Sequence, residues 1–161
     1  MTTHVTIEVL TVEELAPALA KHFCAQPPAW QSGPAPAVPG TYVWTAQASG
    51  EAPEAVLYIG SAASLHRRLS NYAGWIDGYD PEEGWEVSVI HLLKQSGAVV
   101  RWLPTTDHAE ALILESRLIE WHRTEVGIAP IVTGWNAKKR SRREESQTWA
   151  RDLWNERASV V

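Results

Sequence analysis

An arginine, a tyrosine and a glutamate lie at positions of this 161-residue sequence where they could act on a charged substrate. Arg68 and Tyr72 are four residues apart, so on a helix they share one face. Glu115 lies in the middle of the inward face of a second helical pattern, whose apolar members are Ala111, Leu112, Leu118 and Ile119. An inward carboxylate must be paired, and a divalent cation, a proton, or a salt bridge to Arg68 or Arg117 would each satisfy it.

Short strands and turns must position these groups. Residues 56–59 are β-branched and aromatic and stop at Gly60, and the helical spacing of Leu65 and Leu69 follows, which predicts a strand, a tight turn and a helix. Residues 40–44 form a similar strand. The polar turn at 48–54 predicts that strands 41–46 and 55–59 pair as an antiparallel hairpin, with Tyr42 and Tyr58 facing each other.

The remaining elements lie on either side of this hairpin. Residues 4–10 alternate like a half-buried strand, and a capping box of Thr11 and Glu14 opens a helix that ends before Pro27. A loop is expected at 74–84, a helix from residue 81 or 82 to Gly97, and a third strand at 98–103. A second capping box starts a helix that reaches about residue 125, and an amphipathic helix is expected at 141–158.

Two triplets, Gly40-Thr41-Tyr42 and Tyr58-Ile59-Gly60, resemble the signature of the GIY-YIG nuclease family. Further positions of the same pattern follow in order: Leu65, Arg68, Tyr72, the segment from Glu110 to Glu115, which resembles the glutamate helix of the family, and Asn136. The tyrosine one turn after the arginine is typical of the excision-repair nuclease branch. The resemblance covers about residues 39–137. The sequence departs from it at Thr41, where isoleucine is usual, and at Ser61, where many members carry a phosphate-binding lysine.

The resemblance implies an α/β (α+β) fold, a small three-stranded mixed or antiparallel sheet flanked by helices, here with an extra N-terminal strand and helix. It divides the chain into three parts. Residues 1–38 form the extension and a proline-rich linker, residues 39–137 form the nuclease core, and residues 138–161 form a basic run and a C-terminal helix packed on the core. One compact domain is therefore expected.

The resemblance also implies a metal-dependent endonuclease that hydrolyses phosphodiester bonds in nucleic acid, with DNA as the expected substrate. Glu115 would hold Mg²⁺ or Mn²⁺, because these ions prefer oxygen ligands and keep several waters. Arg68 would bind phosphate with its fork of donors. Tyr42 would take a proton from water, and Tyr58 and Tyr72 would position water or phosphate. The alternative is a diverged nuclease-like domain that acts as a binding module or on a small molecule.

Charge restricts how the chain could bind nucleic acid. A net charge of −5 argues against binding through bulk positive charge, so contacts must be local. Two basic clusters are available, and the nucleic-acid-binding residues expected from them and from the closing asparagine are His66, Arg67, Asn136, Lys138, Lys139, Arg140, Arg142 and Arg143. The second cluster could instead only solvate the start of the C-terminal helix.

The cysteine count and the hydropathy pattern indicate the cellular compartment in which the protein is expected. Cys24 is the single cysteine, which excludes an internal disulfide framework and makes a zinc thiolate site implausible. No run of eighteen apolar residues occurs, and the N-terminus does not have the order of a signal peptide. A soluble cytoplasmic protein without membrane partners is expected, and its oligomeric state stays open.

Overall fold

A three-stranded antiparallel sheet with helices on both sides organises the protein. The computed structural model describes residues 8–47, 50–77, 93–95, 97–130 and 140–158. Its named elements are α1 (Ala16–Phe23), β1 (Gly40–Ala46), β2 (Ala55–Ala62), α2 (Leu65–Asp77), β3 (Val99–Pro104), α3 (His108–Val126) and α4 (Arg140–Ala158). The expected α/β fold class, with three core strands flanked by helices, is confirmed.

The strands lie in the order β2-β1-β3, so β1 is central and β2 is an edge strand. The hairpin register pairs Tyr42 with Gly60 and Trp44 with Tyr58. Tyr42 and Tyr58 therefore do not face each other directly, as the sequence suggested, but are diagonal neighbours on one face. The difference arises because the register shifts between Trp44 and Thr45, as at a β-bulge: Thr45 pairs with Val56, whereas Trp44 pairs with Tyr58.

Each face of the sheet has its own apolar cluster. Val43, Ile59 and Leu103 pack with Leu114 and Leu118 of α3 on one face. On the other face, a second cluster includes Tyr42, Trp44, Ala62, Leu65 of α2 and Trp102. The inward face predicted for α3 is wrong at Leu112, which is half-buried, whereas Leu114 is fully buried. Helix α3 also contacts α1 and α4, so its buried arc is wider than one sheet-facing stripe.

The N-terminal extension belongs to the same core. Thr11 and Glu14 form the expected capping box, with N···O distances of 3.1 and 3.4 Å, and the chain then turns through Glu13–Leu15 into α1. Helix α1 ends at Cys24 before the prolines, as predicted. Leu10 O accepts a hydrogen bond from Val56 N of β2. Of the strand expected at 4–10, residues 4–7 lie outside the described part of the chain, and residues 8–10 do not form a strand; one isolated bridge pairs Thr11 with Ala55.

The proline-rich linker covers the other edge of the sheet. Gln31 exchanges two backbone hydrogen bonds with Trp102 of β3, at 2.9 and 3.0 Å. Further along the linker, Pro36 O and Val38 O accept hydrogen bonds from His66 N and Leu65 N, the first amides of α2. The linker therefore satisfies helix-end donors that have no partner within the helix.

Helix α2 is longer than the sequence pattern indicated. It runs through Gly74 to Asp77, so the loop expected to begin at residue 74 is wrong in its first part. One interior glycine costs a helix only about 1 kcal/mol, which tertiary contacts override. Residues 78–92 lie outside the described part, and the helical residues 93–95 precede Gly97, which has a positive φ of 78°.

The long helix α3 begins and ends as its sequence predicts. Asp107 accepts a hydrogen bond from Glu110 N at 2.7 Å, and Gly127 ends the helix with a φ of 87°. The Glu110 carboxylate bonds Thr106 N rather than Asp107 N, a variant of the capping box. Among the described residues, no helix has the length and apolar character needed to cross a membrane.

Candidate active site

The end of strand β2, at Gly60 and Ser61, carries the centre of the candidate site. The ring of Tyr42 crosses from β1 and lies over Gly60, where a Cβ atom would be 2.5 Å from both Cζ and the phenol oxygen. Only glycine leaves that space. The Tyr42 phenol oxygen is thus held beside β2, and the residue is only 1 % exposed.

Tyr58 lies beside Tyr42 on the same face. Their ring centroids are 6.1 Å apart with an interplanar angle of 22°, an offset stack. Tyr58 is half-buried, whereas Tyr42 is buried. Both tyrosines of the two triplets are therefore fixed by strand pairing and by each other.

Glu115 reaches the same strand end from α3. Its Oε2 accepts a hydrogen bond of 2.7 Å from Ser61 Oγ, and Glu115 is 8 % exposed. One turn earlier on α3, Ala111 O accepts a hydrogen bond of 2.9 Å from Thr41 Oγ1. Neighbouring positions of the hairpin, Thr41 and Ser61, thus both anchor the helix that carries the carboxylate.

The phenol and the carboxylate approach this strand end from opposite faces of the sheet. Tyr42 pairs with Gly60, and Thr41 pairs with Ser61, so side chains alternate between the faces at these positions. The sequence predicts that the hairpin and its two flanking helices bring Tyr42, Tyr58, Arg68 and Glu115 to one sheet face and into one surface cleft. The single face is wrong, because Glu115 approaches from the face opposite the two tyrosines. Their action on a common substrate stays a prediction.

An open cleft of about 310 Å³ follows β2 directly. Its lining residues are Ala62, Ala63, Ser64, Arg67, Arg68 and Asn71. Two predicted residues, Arg67 and Arg68, line it, and His66 is exposed on the same helical turn without lining it. Asn71 is a polar lining residue that the sequence motifs do not mark, although its spacing of four from Arg67 places both on one helix face.

Other predicted residues have no described side-chain contacts. Tyr72 lies on α2 one turn beyond Arg68, and only its backbone is described. Asn136, Lys138 and Lys139 lie outside the described part of the chain. The remaining three, Arg140, Arg142 and Arg143, belong to the first turn of α4, where only the backbone is described. Their roles stay predictions.

The carboxylates of this fold differ in their partners. Glu54, at the opposite end of the hairpin, accepts hydrogen bonds from Arg101 at 2.6 and 3.2 Å, and this arginine holds the pKa of Glu54 below its ordinary value. Arg117, one of the salt-bridge partners considered for Glu115, lies with His22 Nδ1 at 3.1 Å and the ring of Trp149 at 5.1 Å. Arg117 is therefore engaged with α1 and α4.

The donor set at Glu115 fits a hard divalent cation. Residues 8–47, 50–77, 93–95, 97–130 and 140–158 contain no group of three or more histidine, cysteine or carboxylate side chains that could hold a metal. That excludes a closed structural zinc site within these residues. Mg²⁺ needs only one or two carboxylates, together with water and phosphate oxygens. Glu115, with Ser61 behind it, is the residue that would hold such an ion.

A comparison with family models decides the relationship. The model of the UvrC-like GIY-YIG domain matches residues 38–126, more than half of the chain. The chain belongs to this family. The match includes both signature strands, the arginine cleft and all of α3, so the family recognised from the sequence and its class, a nuclease domain, are confirmed. It ends before Asn136.

Curated relatives agree with the UvrC-like assignment. UvrABC system protein C of Oleidesulfovibrio alaskensis is 33 % identical over 93 residues, which cover 58 % of this chain and 12 % of that protein. The protein of the same name from Anaeromyxobacter dehalogenans is 32 % identical over 93 residues, with the same coverage. The chain thus matches about one eighth of the length of these relatives.

A solved structure is also similar to the UvrC-like chain. It is the GIY-YIG N-terminal endonuclease domain of UvrC from Thermotoga maritima, bound to its catalytic divalent cation, magnesium. The two chains are 19 % identical, the TM-score is 0.40, and the match covers 71 % of this chain and 94 % of that one.

Proposed function

We propose that this chain is a divalent-metal-dependent endonuclease that hydrolyses phosphodiester bonds in DNA. The observation that carries the proposal is at the end of β2, where the Tyr42 ring lies over Gly60 and the Glu115 carboxylate accepts a hydrogen bond from the next residue, Ser61, beside a cleft lined by two arginines. Membership of the UvrC-like GIY-YIG family supports it. So does the name of the curated relatives, which are components of the UvrABC system.

Substrate binding is assigned to the cleft at the start of α2. Arg67 and Arg68 bring donors that suit phosphate oxygens, and a guanidinium binds them in a fixed planar fork. Asn71 adds an amide donor from the next helical turn. The cleft measures about 310 Å³ and is open to solvent, which suits a backbone phosphate group rather than a buried base.

The reaction needs a base for water, a stabiliser for the developing charge and help for the leaving oxygen. Glu115 would hold the cation, which would supply the charge stabilisation and lower the pKa of water. Tyr42 would accept the proton of the attacking water. A free phenol has a pKa of about 10, so this role at neutral pH requires positive charge nearby, which Arg68 and the cation would provide.

Glu115→Gln tests the proposal because it keeps the shape of the side chain and removes its charge. The purified chain is expected to cleave single- or double-stranded DNA with Mg²⁺ or Mn²⁺ and to stop when EDTA is added. Glu115→Gln is expected to abolish cleavage while circular dichroism and the melting temperature stay close to wild type. Cleavage is measured on labelled oligonucleotides, with RNA of the same sequence as the substrate control.

Glu120→Gln is the matched control, because Glu120 is a buried carboxylate on the same helix that pairs with Arg123. It is expected to retain cleavage even if its stability falls. Unchanged cleavage in Glu115→Gln would place the metal elsewhere. A wild-type chain that binds DNA but cleaves neither DNA nor RNA with either ion would favour a binding module.

A further inference from the structure

Ser61 is the residue directly after Tyr58-Ile59-Gly60, and its hydroxyl is directed at the carboxylate of Glu115. An ionised carboxylate only accepts hydrogen bonds, so Ser61 Oγ–H is the donor to Glu115 Oε2. The distance of 2.7 Å is that of a strong, charge-assisted bond. The serine contributes a donor without contributing charge.

The backbone of Ser61 is itself fixed. It lies in β2, paired with Thr41 of the central strand, and Thr41 holds α3 through Ala111 O at 2.9 Å. Glu115 follows Ala111 by one helical turn. A glutamate side chain has three rotatable bonds, so its carboxylate needs a second fixed contact to keep one position in a metal site. Ser61 provides that contact from a strand that does not move independently of the helix.

A charged residue at this position would act differently. Lysine, which many members of the family carry here, would bring an ammonium group to the Glu115 carboxylate. The ammonium would compete with a divalent cation for the same oxygens and reduce the negative charge that attracts the ion. A hydroxyl orients the carboxylate and leaves its charge to the metal.

We propose that Ser61 is a positioning residue of the metal site, which orients Glu115 by a neutral hydrogen bond and thereby gives this chain tighter divalent-cation binding than a lysine would allow. The inference rests on the proposed function, since it takes Glu115 as the metal ligand. Its readout is nevertheless cation binding in the absence of DNA.

The test is Mn²⁺ binding to wild type and Ser61 variants, followed by electron paramagnetic resonance of the free ion and by calorimetry. Ser61→Ala is expected to raise the Kd for Mn²⁺ about 10-fold, the lower end of what outer contacts of metal ligands contribute. Ser61→Thr keeps the hydroxyl and suits a strand, so it is expected to stay near wild type. Ser61→Lys is expected to weaken binding by at least about 10-fold.

Thr45→Ala is the matched control. Thr45 is likewise a strand residue whose hydroxyl donates to a glutamate, Glu54 Oε2 at 3.0 Å, but it lies at the opposite end of the hairpin and is buried, whereas Ser61 is half-buried. It is expected to lose stability without changing Mn²⁺ affinity. In cleavage assays, Ser61→Ala is expected to need more metal for half-maximal rate and to recover most of kcat at saturating metal.

Wild-type Mn²⁺ affinity in Ser61→Ala or in Ser61→Lys would overturn the role of Ser61. If Ser61→Ala does not fold, the comparison of Ser61→Thr with Ser61→Lys decides in the same way. Should Glu115→Gln abolish both Mn²⁺ binding and cleavage while the Ser61 variants behave as wild type, the nuclease proposal stands and this one fails. If Mn²⁺ binds and its affinity depends on Ser61 while no nucleic acid is cleaved, the proposal for Ser61 stands and the nuclease proposal fails.

Discussion

Gly60 fixes the position of the Tyr42 phenol by leaving room for it. A methyl group there would be 2.5 Å from the ring and its oxygen, closer than Cβ contacts occur. We expect Gly60→Ala to displace the Tyr42 ring and to lower kcat strongly, because a reacting group misplaced by about 1 Å costs on the order of 100-fold. Steady-state cleavage at saturating Mg²⁺ measures this effect.

Gly50→Ala serves as the control for this substitution, since no atom lies within 4 Å of a Cβ at that position. It is expected to leave kcat unchanged. A Gly60→Ala variant with wild-type kcat and a wild-type melting temperature would remove the Tyr42 phenol from the proposed mechanism.

At the residue scale, the sequence identifies which residue types could act in the site, but not on which face of the sheet or helix their side chains lie. Tyr42, Tyr58, Arg68 and Glu115 can be selected because their order and spacing match a known pattern. That Tyr42 lies over Gly60 depends on the register shift between Trp44 and Thr45, which the sequence pattern of the two strands does not mark. Asn71 could not be selected from the sequence, because a single asparagine on a helix matches no motif, and the cleft that it lines is visible only in the folded structure.

Helix α3 is tied to the N-terminal extension and to its own C-terminal turn by a buried histidine. His122 Nε2 accepts from Leu10 N at 3.2 Å, and Nδ1 lies 2.6 Å from Ile128 O, so the imidazole is neutral and carries its proton on Nδ1. Burial lowers the pKa of His122 below its ordinary value of about 6.5. The nearby Glu14 opposes this shift in part.

Because the folded-state pKa is below the unfolded one, the unfolded chain binds more protons as the pH falls below about 6.5. The stabilisation from neutral His122 is therefore complete above that pH and is lost as the pH falls through the folded pKa. We expect the free energy of unfolding to decrease between pH 7 and 5.5. Urea denaturation at a series of pH values measures the slope.

His122→Asn keeps a donor for Ile128 O but does not titrate, so it is expected to be less stable at pH 8 and to have a shallower slope. Some slope remains, because burial also lowers the pKa of His22. His108→Gln, a change of an exposed histidine on the same helix, is expected to keep the wild-type slope. Equal slopes in all three proteins would contradict the assignment.

At the element scale, local chemistry predicts most boundaries. The cap at Asp107 and the glycine at 127 each act within a few residues and are observed where expected, and the two strands on either side of the predicted hairpin turn pair in antiparallel fashion. Helix α2 is the exception. It extends through Gly74 to Asp77, because one interior glycine costs a helix only about 1 kcal/mol and does not end it.

For the whole molecule, the net charge of −5 makes any DNA contact depend on local positive residues. In the basic run at 138–143, residues 138 and 139 lie outside the described part and only the backbone of residues 140–143 is described, so the role of the run stays a prediction. We expect neutralising Lys138, Lys139 and Arg140 together to weaken DNA binding similarly for all sequences and to flatten its salt dependence. Each lost phosphate contact reduces the logarithmic slope by about 0.7 to 0.9.

Binding to a labelled duplex over a salt series, with Ca²⁺ in place of Mg²⁺, measures this slope. The rate at saturating DNA is expected to survive. If the plots of log affinity against log salt concentration are parallel for wild type and variant, the basic run only solvates the start of α4.

The folded unit is longer than the family segment, which begins at residue 38. Leu10, Leu15 and Leu19 of the extension are buried at 2 %, 0 % and 3 % exposure in the α3-side core. Burying such a side chain contributes about 1.5 to 3 kcal/mol, so three of them approach the total stability of a small domain, about 5 to 15 kcal/mol. We expect a chain that starts at residue 38 to lose its cooperative melting transition.

Calorimetry and size-exclusion chromatography measure that outcome. The full chain with Gln31→Ala is the control, because the alanine keeps the backbone pair with Trp102 and leaves the leucines in place. A monomeric truncated chain that melts like wild type would show that the extension is dispensable.

The pairing of Gln31 with Trp102 also has a consequence for the order in which segments of the chain fold during synthesis. A ribosome makes the linker before the strand that it covers, and the two partners are separated by 71 residues (102 minus 31). The two backbone hydrogen bonds between the linker and the edge strand β3 cannot form until β3 has been synthesised. Contacts of such long sequence separation form late and slowly. The linker, although it is synthesised before β3, is therefore among the last segments to be fixed.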